Sequence, residues 1–234
     1  MAERIFTDKD FIQERLQSLF DQIPLFQQHD VLERISVYRF KKDDLVYVEE
    51  SKPTDCMFLL EGKVKVYKSG LDDRDLIVRL IRAGEYFGYA SHFAGCNYST
   101  RAAALEPSLI CFIPIETIDE LANSNLRIAT YIIRCMARNM QLSDDRMVTL
   151  TQKHVRGRLA EALLLIHKTY GTREDGKTLC LSPSRRDLAD LSNMTTNNAI
   201  RTLSAFADEG VVELNRRNII ILDIDKLTNI SDNG

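Results

Sequence analysis

The sequence predicts an α+β chain in three parts: an all-β roll or barrel behind a helical N-terminus, one long helix, and a terminal unit of short helices closed by a strand pair. Three observations carry this. Apolar residues alternate with period two between Phe40 and Pro114, the stretch from Leu126 to about Lys153 contains no Gly or Pro, and helical periodicity returns on either side of that β-rich region. The 234 residues, 44% of them hydrophobic, make one large or two ordinary domains and suffice to bury real cores. The boundaries drawn from the pattern are residues 1–125 for the roll, 126–153 for the long helix and 154–234 for the terminal unit.

From Thr7 to Phe26, the residues Phe11, Ile12, Leu16, Leu19 and Phe20 gather on one helical face, and Pro24 closes the run. In the β-region Val46 and Val48, then Val64 and Val66 alternating with Lys63, Lys65 and Tyr67, then Ile77 to Ile81, read as strands. The breaks fall at Lys52-Pro53, Glu61-Gly62, Ser69-Gly70, Ala83-Gly84 and Glu106-Pro107, which sets short strands roughly ten residues apart.

Composition narrows the function classes. No run of about 18 apolar residues is present and the N-terminus MAERIFTDKDF carries acids where a signal peptide needs an apolar core, so a cytoplasmic protein without a membrane partner is expected. The five cysteines (Cys56, Cys96, Cys111, Cys135, Cys180) show neither CxxC metal spacing nor a disulfide framework and read as reduced core thiols. A net charge of -3 promises no global attraction to a polyanion, so any such partner must be held by a local patch.

The long helix, up to some 28 residues and about 40 Å, carries Ile128, Ile132, Cys135, Met136, Leu142, Met147 and Leu150 as an apolar stripe broken by Asn139, Ser143 and Arg146. Two readings stand. The stripe packs on the chain's own roll, or it pairs with a second copy as a two-stranded coiled coil, the reading favoured for a helix this long.

In the terminal unit, Arg156 to Tyr170 lines up Leu159, Ala160, Leu163, Leu164, Ile166 and His167, and GTREDGK (Gly171 to Lys177) is a polar turn. The stretch SRRDLADLSNMTTNNAIRTL then stops a helix near Asn193 and restarts it at once. Ser184 is an N-cap with Asp187 completing its first turn, and Asn193 is a residue type that enters the left-handed conformation cheaply. Thr195 recaps a second helix whose Ala199, Ile200 and Leu203 pack it against Leu188, Ala189 and Leu191, with the small Ala189 permitting a close crossing. The outward face carries Thr196, Asn197, Asn198 and Arg201, with Arg185 and Arg186 at the head of the bracing helix. Asn suits adenine edges, Arg suits guanine or phosphate, and a capped N-terminus offers backbone donors; a merely solvated surface is the bland alternative for any one of these residues. Val211 to Leu222 reads as a hairpin with Arg216 and Arg217 at its tip, able to reach a neighbouring phosphate. From Arg156 onward the unit holds 11 basic and 11 acidic residues, so placement rather than net charge must attract nucleic acid.

These residues add up to a resemblance. The helix, the roll with Glu61-Gly62-Lys63-Val64-Lys65-Val66 and Ala83-Gly84-Glu85-Tyr86-Phe87-Gly88, the long helix, Arg156-Gly157-Arg158-Leu159-Ala160, and Leu188-Ala189 through Arg201-Thr202-Leu203 resemble the Crp/Fnr family of bacterial transcription regulators, from about Ile23-Pro24-Leu25-Phe26 to Leu227. The resemblance implies a double-stranded, jelly-roll-like β-roll that senses an effector, a dimerisation helix, and a winged helix-turn-helix. It further implies a homodimer on a palindromic operator in double-stranded DNA, the reading helices about 34 Å apart in successive major grooves, with RNA polymerase as a further partner. Arg201 falls on the family's base-reading arginine. Thr196 and Asn197 replace its arginine and glutamate, so the operator differs from the catabolite-activator sequence.

The family's cyclic AMP pocket places a glutamate after Phe-Gly and an arginine some ten residues on. Here Tyr89 follows Phe87-Gly88, the arginine's place falls at Tyr98 or Ser99, and Arg101 comes late, after Thr100. A phosphate without its arginine loses a charge-assisted bond of roughly 1.5 to 3 kcal/mol, so the expected effector is not cyclic AMP. A small molecule of unknown identity near Gly88, Tyr89, Ser99, Thr100, Arg101 and Ser143 is expected, or a pocket filled by its own side chains. Ser143 matches a nucleotide-facing hydroxyl of the family, beside an unfavourable Asp144. The oxygen sensors' N-terminal cysteine cluster is missing and His92 reads as a structural histidine, so neither metal nor haem is expected. No nucleophile, GxSxG or phosphate loop accompanies His154 and His167, which argues against an enzyme. A nucleotide-binding module acting through protein contact remains the other alternative; it would need neither the capped helix nor the arginine-tipped hairpin.

Overall fold

The computed structural model describes residues 2–5, 9–70 and 74–233. By contacts the chain divides into two compact units, residues 1–68 with 81–141, and residues 69–80 with 142–234. The long helix is therefore shared between them and not a third body.

The first unit is built on antiparallel sheets. Strands β1 (Glu3–Ile5), β2 (Ser36–Phe40), β9 (Ser108–Pro114), β4 (Asp55–Glu61) and β7 (Tyr86–Phe87) make one, in that order. Strands β3 (Leu45–Tyr47), β8 (Arg101–Ala104), β5 (Lys63–Ser69) and β6 (Asp75–Arg82) make the other in that order, with residues 75–80 of β6 counted in the second unit. The register sets Cys56 opposite Ile113 and Phe58 opposite Cys111. Because side chains alternate along a strand, Cys56, Phe58 and Leu60 join a core shared with the helices, while buried Met57 and Leu59 point to the opposite face. The β4–β5 turn depends on Gly62: its φ is +94°, and a Cβ there would stand 2.3 Å from Ser108 Oγ and 2.7 Å from the Pro107 carbonyl.

Helices cover the outer sheet. The single N-terminal helix expected from Thr7 to Phe26 is instead α1 (Lys9–Arg15) and α2 (Gln17–Phe20), followed by α3 (Leu25–Arg34); Thr7 and Asp8 lie outside the described residues. The break falls at Leu16, which is wholly buried in the same core as Ile12 and Leu19. Gln28 donates to the carbonyls of Phe20 and Ile23, each at 3.0 Å, satisfying acceptors that the helix ends leave open. Pro24 starts α3 rather than ending its predecessor, as suits a residue with no N–H to lose. Helix α4 (Ala90–Phe93) follows β7, and α5 (Ile115–Ser124) leads to the 27-residue α6 (Leu126–Gln152).

The second unit holds α7 (Val155–Tyr170), α8 (Arg185–Ser192), α9 (Thr196–Asp208), a hairpin of β10 (Val212–Asn215) and β11 (Asn218–Ile221), and α10 (Ile224–Asp232). The expectation of a strand pair as the last element missed α10. Its signal is Asp223, whose side chain accepts from Lys226 N–H at 2.8 Å as an N-cap, and Leu227, which is buried. The thiols also need a correction: Cys56 and Cys111 are core residues, but Cys96 is exposed on the turn after α4 and Cys135 and Cys180 are half-buried. None of the five is in a disulfide.

Candidate nucleic-acid interface

The bracing helix α8 begins in a full capping box. Ser184 Oγ accepts from Asp187 N–H at 3.0 Å, and Asp187 Oδ2 accepts from Ser184 N–H at 3.1 Å and from Ser184 Oγ at 2.6 Å. The helix ends at Asn193, in the left-handed conformation with φ 50° and ψ 57°, and Met194 N–H reaches back to the Ala189 carbonyl at 3.1 Å. Thr195 Oγ1 then accepts from Asn198 N–H at 3.2 Å to start α9. Leu188, Ala189, Leu191, Ala199, Leu203 and Phe206 are buried, so each helix fixes the direction of the other. The turn, the cap and the recap stand at the residues the sequence indicates.

This packing leaves Thr195, Thr196, Asn197 and Arg201 exposed along α9, with Asn198 half-buried beside them. Arg201 Nη2 donates to Asn198 Oδ1 at 2.6 Å, a brace that orients the guanidinium while leaving its other donors free for a base edge. Ser184 is exposed and Arg185 half-buried at the head of α8. Arg186 is also exposed, but its guanidinium is 3.3 Å from Asp75 and 3.7 Å from Asp190, contacts that sequence reasoning missed because Asp75 lies over a hundred residues away. The hairpin pairs Asn215 with Asn218, so its turn is the two residues Arg216 (φ 55°) and Arg217, both exposed at the tip. Asn218 Oδ1 anchors the base of the tip, accepting from Arg173 at 3.0 Å and Ser182 at 2.9 Å.

Polar residues that interrupt the α6 stripe have structural partners. Asn139 donates to the Tyr89 hydroxyl at 3.1 Å, and Arg146 donates to the carbonyls of Ile77 at 2.9 Å and Leu191 at 2.8 Å. Burial of Arg146 lowers its pKa, an effect that Glu161 partly offsets. At the break between α6 and α7, Lys153 donates to Glu161 at 2.8 Å and to Ser231 at 2.8 Å, and Ser231 donates to Glu161 at 2.6 Å. Desolvation raises the Glu161 pKa, but these bonds outweigh it and the net shift is downward.

The stripe itself needs correcting. Ile128 is wholly buried in the roll's own core, and Ile132, Cys135 and Met136 pack partly against that core, so this face of the helix is taken up by its own unit. Leu142 and Met147 are exposed and Leu150 half-buried. The exposed apolar row on α6 is Leu126, Ile133, Met140 and Met147, each one heptad from the next.

Among the effector candidates, Gly88 has φ +81°, and a Cβ there would lie 2.2 Å from Met57 Cε. Tyr98, near the place of the family's phosphate arginine, is buried and stacked on Tyr47 with ring centroids 4.0 Å apart. Thr100 shares a hydrogen bond of 3.1 Å with the Tyr47 hydroxyl, and Arg101 Nε stands 3.9 Å from Glu49. Ser99 is exposed, while Tyr89 is buried. Ser143 belongs to the second unit and is exposed. His92 Nε2 lies 2.9 and 3.0 Å from the two carboxylate oxygens of Asp119. Among the described residues no cluster of His, Cys, Asp and Glu has the arrangement of a metal site, and no helix is long and apolar enough to cross a membrane.

Comparison with known proteins agrees with this architecture. Residues 37–125 match the cyclic nucleotide-binding domain and residues 157–230 the Crp-like helix-turn-helix domain. Electron transport regulator A of Shewanella oneidensis is 26% identical over 212 residues, 90% of this chain and 83% of that protein. The fumarate and nitrate reduction regulatory protein of Escherichia coli is 24% identical over 171 residues, 73% of this chain and 68% of that protein. FixK2 from Bradyrhizobium japonicum shares the fold with a TM-score of 0.76 at 22% identity, covering 84% of this chain and 96% of that one. A fold of antiparallel roll plus helix-turn-helix, with both domains matched in tandem, defines a transcription regulator whose N-terminal part is of the cyclic nucleotide-binding domain type. The chain belongs to the Crp/Fnr family.

Proposed function

We propose that the chain binds a palindromic operator as a homodimer, reads it through Arg201 and its neighbours on α9, and is controlled by an effector other than cyclic AMP. The observation that carries the DNA reading is the capped α9, which a left-handed Asn193 turns away from α8 so that Thr196, Asn197 and the Asn198-braced Arg201 face outward. Arg185, Arg216 and Arg217 supply phosphate contacts on either side. The exposed heptad row of Leu126, Ile133, Met140 and Met147 supports self-association through α6.

Cyclic AMP is disfavoured because the site offers it no anion partner. The place of the family's phosphate arginine falls at Tyr98, which is stacked on Tyr47, or at Ser99; Arg101 stands near Glu49, and Tyr89, at the place of the family's glutamate, is buried and bonds to Asn139. The role of the protein in transcription places it with regulators and not enzymes, and an aqueous cellular interior with contact to RNA polymerase fits that role. Selection of bound duplexes from a random pool tests the reading: it expects an inverted repeat whose half-sites lie one helical turn apart, about 10 base pairs centre to centre, and recovery of no common sequence would refute it.

A further inference from the structure

The sequence pattern sets Ile200 with Ala199 and Leu203 against the bracing helix, and the structure separates it from them. Ala199 and Leu203 are buried, whereas Ile200 is 42% exposed. Successive helix residues turn by about 100°, so Leu203, four places on from Ala199, returns to the packed side while Ile200 swings out of it. Ile200 joins Thr196, Asn197, Arg201 and Ser204, all exposed, at spacings of three and four that make one face of α9.

An exposed isoleucine is ordinary in itself; its neighbours give this one a role. Asn197 and Arg201 offer hydrogen-bonding groups on the same face, and Asn198 orients the guanidinium of Arg201 through the bond of 2.6 Å. Ile200 has neither donor nor acceptor. Pressed against a polar base edge, it strips that edge of water and returns no hydrogen bond, which is unfavourable. In the major groove the apolar group that base edges present is the C5-methyl of thymine. A branched aliphatic side chain is complementary to that methyl and mismatched to the amino group of cytosine or the N7 and O6 acceptors of guanine.

We infer that Ile200 is a specificity-determining residue that packs on the C5-methyl of one thymine in each half-site. This rests on the reading of DNA by α9 proposed above and adds a base requirement that the polar residues of the helix do not supply. Adjacent Cα atoms lie about 3.8 Å apart, close to the base step of about 3.4 Å, which sets this thymine within about two base pairs of the base contacted by Arg201.

Replacing thymine by deoxyuridine removes the methyl and leaves the pairing edge intact. Competition mobility-shift titrations of the full chain, on the operator recovered from the random pool, compare each thymine with deoxyuridine changed in both half-sites at once. One position near the Arg201 base should weaken native binding by about fourfold per half-site, the loss expected for one methyl left unburied. Ile200→Ser, of nearly equal helix propensity, should bind the thymine and deoxyuridine duplexes alike at that position, and Ile200→Val should keep the preference. Circular dichroism verifies that both variants are folded. A loss of the same size in Ile200→Ser comes from the DNA itself and overturns the inference. Native affinity indifferent to deoxyuridine at every position, or a selected half-site without thymine near the Arg201 base, overturns it too. All three outcomes leave the DNA reading of α9 standing, whereas failure to bind any duplex overturns that reading and the role of Ile200 together.

Discussion

Arg186 places its guanidinium 3.3 Å from the carboxylate of Asp75, so a residue at the head of the bracing helix is held by a strand that precedes it by more than a hundred positions. A phosphate approaching α8 must compete with this carboxylate. Asp75→Asn should therefore raise affinity for duplexes of any sequence. An exposed pair of this kind is worth about 0.2 to 1 kcal/mol, which corresponds to at most about a fivefold gain. Fluorescence anisotropy at two salt concentrations measures it, and an unchanged or weaker affinity would show that Arg186 takes no part in binding.

Arg201 has the opposite character, since it bears on sequence and not only on charge. Arg201→Ala should cost about 1 to 3 kcal/mol on the selected operator and relax one base position. Asn198→Ala, which removes the 2.6 Å brace, should weaken the same contact to a smaller degree. Arg185→Ala should weaken all sequences alike. Mobility-shift titrations against the operator and a scrambled duplex separate these outcomes.

The turn between the two helices rests on one strained residue. Asn193→Ala puts an ordinary side chain into the left-handed conformation and should destabilise the second unit by about 1 kcal/mol, whereas Asn193→Gly should be neutral or stabilising. Thr195→Ala loses the α9 cap at a similar cost of about 1 kcal/mol. Chemical denaturation followed by circular dichroism distinguishes the three.

The two faces of α6 make separable predictions. Met140→Glu introduces a charge into the exposed heptad row and should give a folded monomer in sedimentation velocity. Ile128→Ala should instead open a cavity in the roll, costing about 2 to 5 kcal/mol, and leave the association constant of the remaining folded chain unchanged. The reverse pattern would assign the interface to the Ile128 face.

Glu161 gives a pH prediction. Its folded pKa is lowered, since the bonds from Lys153 and Ser231 outweigh desolvation. The unfolded state therefore binds the proton more readily, and the contribution to stability is present above the ordinary glutamate value and lost as pH falls through the lowered one. Glu161→Gln should remove that acid-side loss, which urea denaturation at a series of pH values between neutral and acid conditions detects.

What the sequence discloses follows the range of the physics. The α8–α9 pair is legible because the Ser184 cap, the left-handed Asn193 and the Thr195 recap act within a few residues of one another. The β-roll is legible through alternation and turn pairs, although the break at Leu16, inside an otherwise continuous apolar periodicity, is not. On α6 the periodicity shows which residues share a face but not which partner covers it. Choosing Ile128, Ile132, Cys135 and Met136 selects the face claimed by the roll, while the heptad row through Ile133 and Met140 stands exposed. Asp75 against Arg186 and Arg146 against the Ile77 and Leu191 carbonyls are purely tertiary, with no local signal to announce them. Of the effector residues, the departures at Tyr89 and Tyr98 from the family's pocket are visible in the sequence, but the stack of Tyr98 on Tyr47 and the bond from Asn139 to Tyr89 emerge only when the chain is folded.

The central claim is that two copies of the chain present α9 to two half-sites at once. Sedimentation equilibrium of the purified chain with a selected duplex at low ionic strength tests this most directly. The account predicts two chains per duplex, falling to unbound monomers and free DNA when Met140→Glu is combined with Arg201→Ala. A complex of one chain per duplex, or no complex with any duplex at low salt, would contradict it.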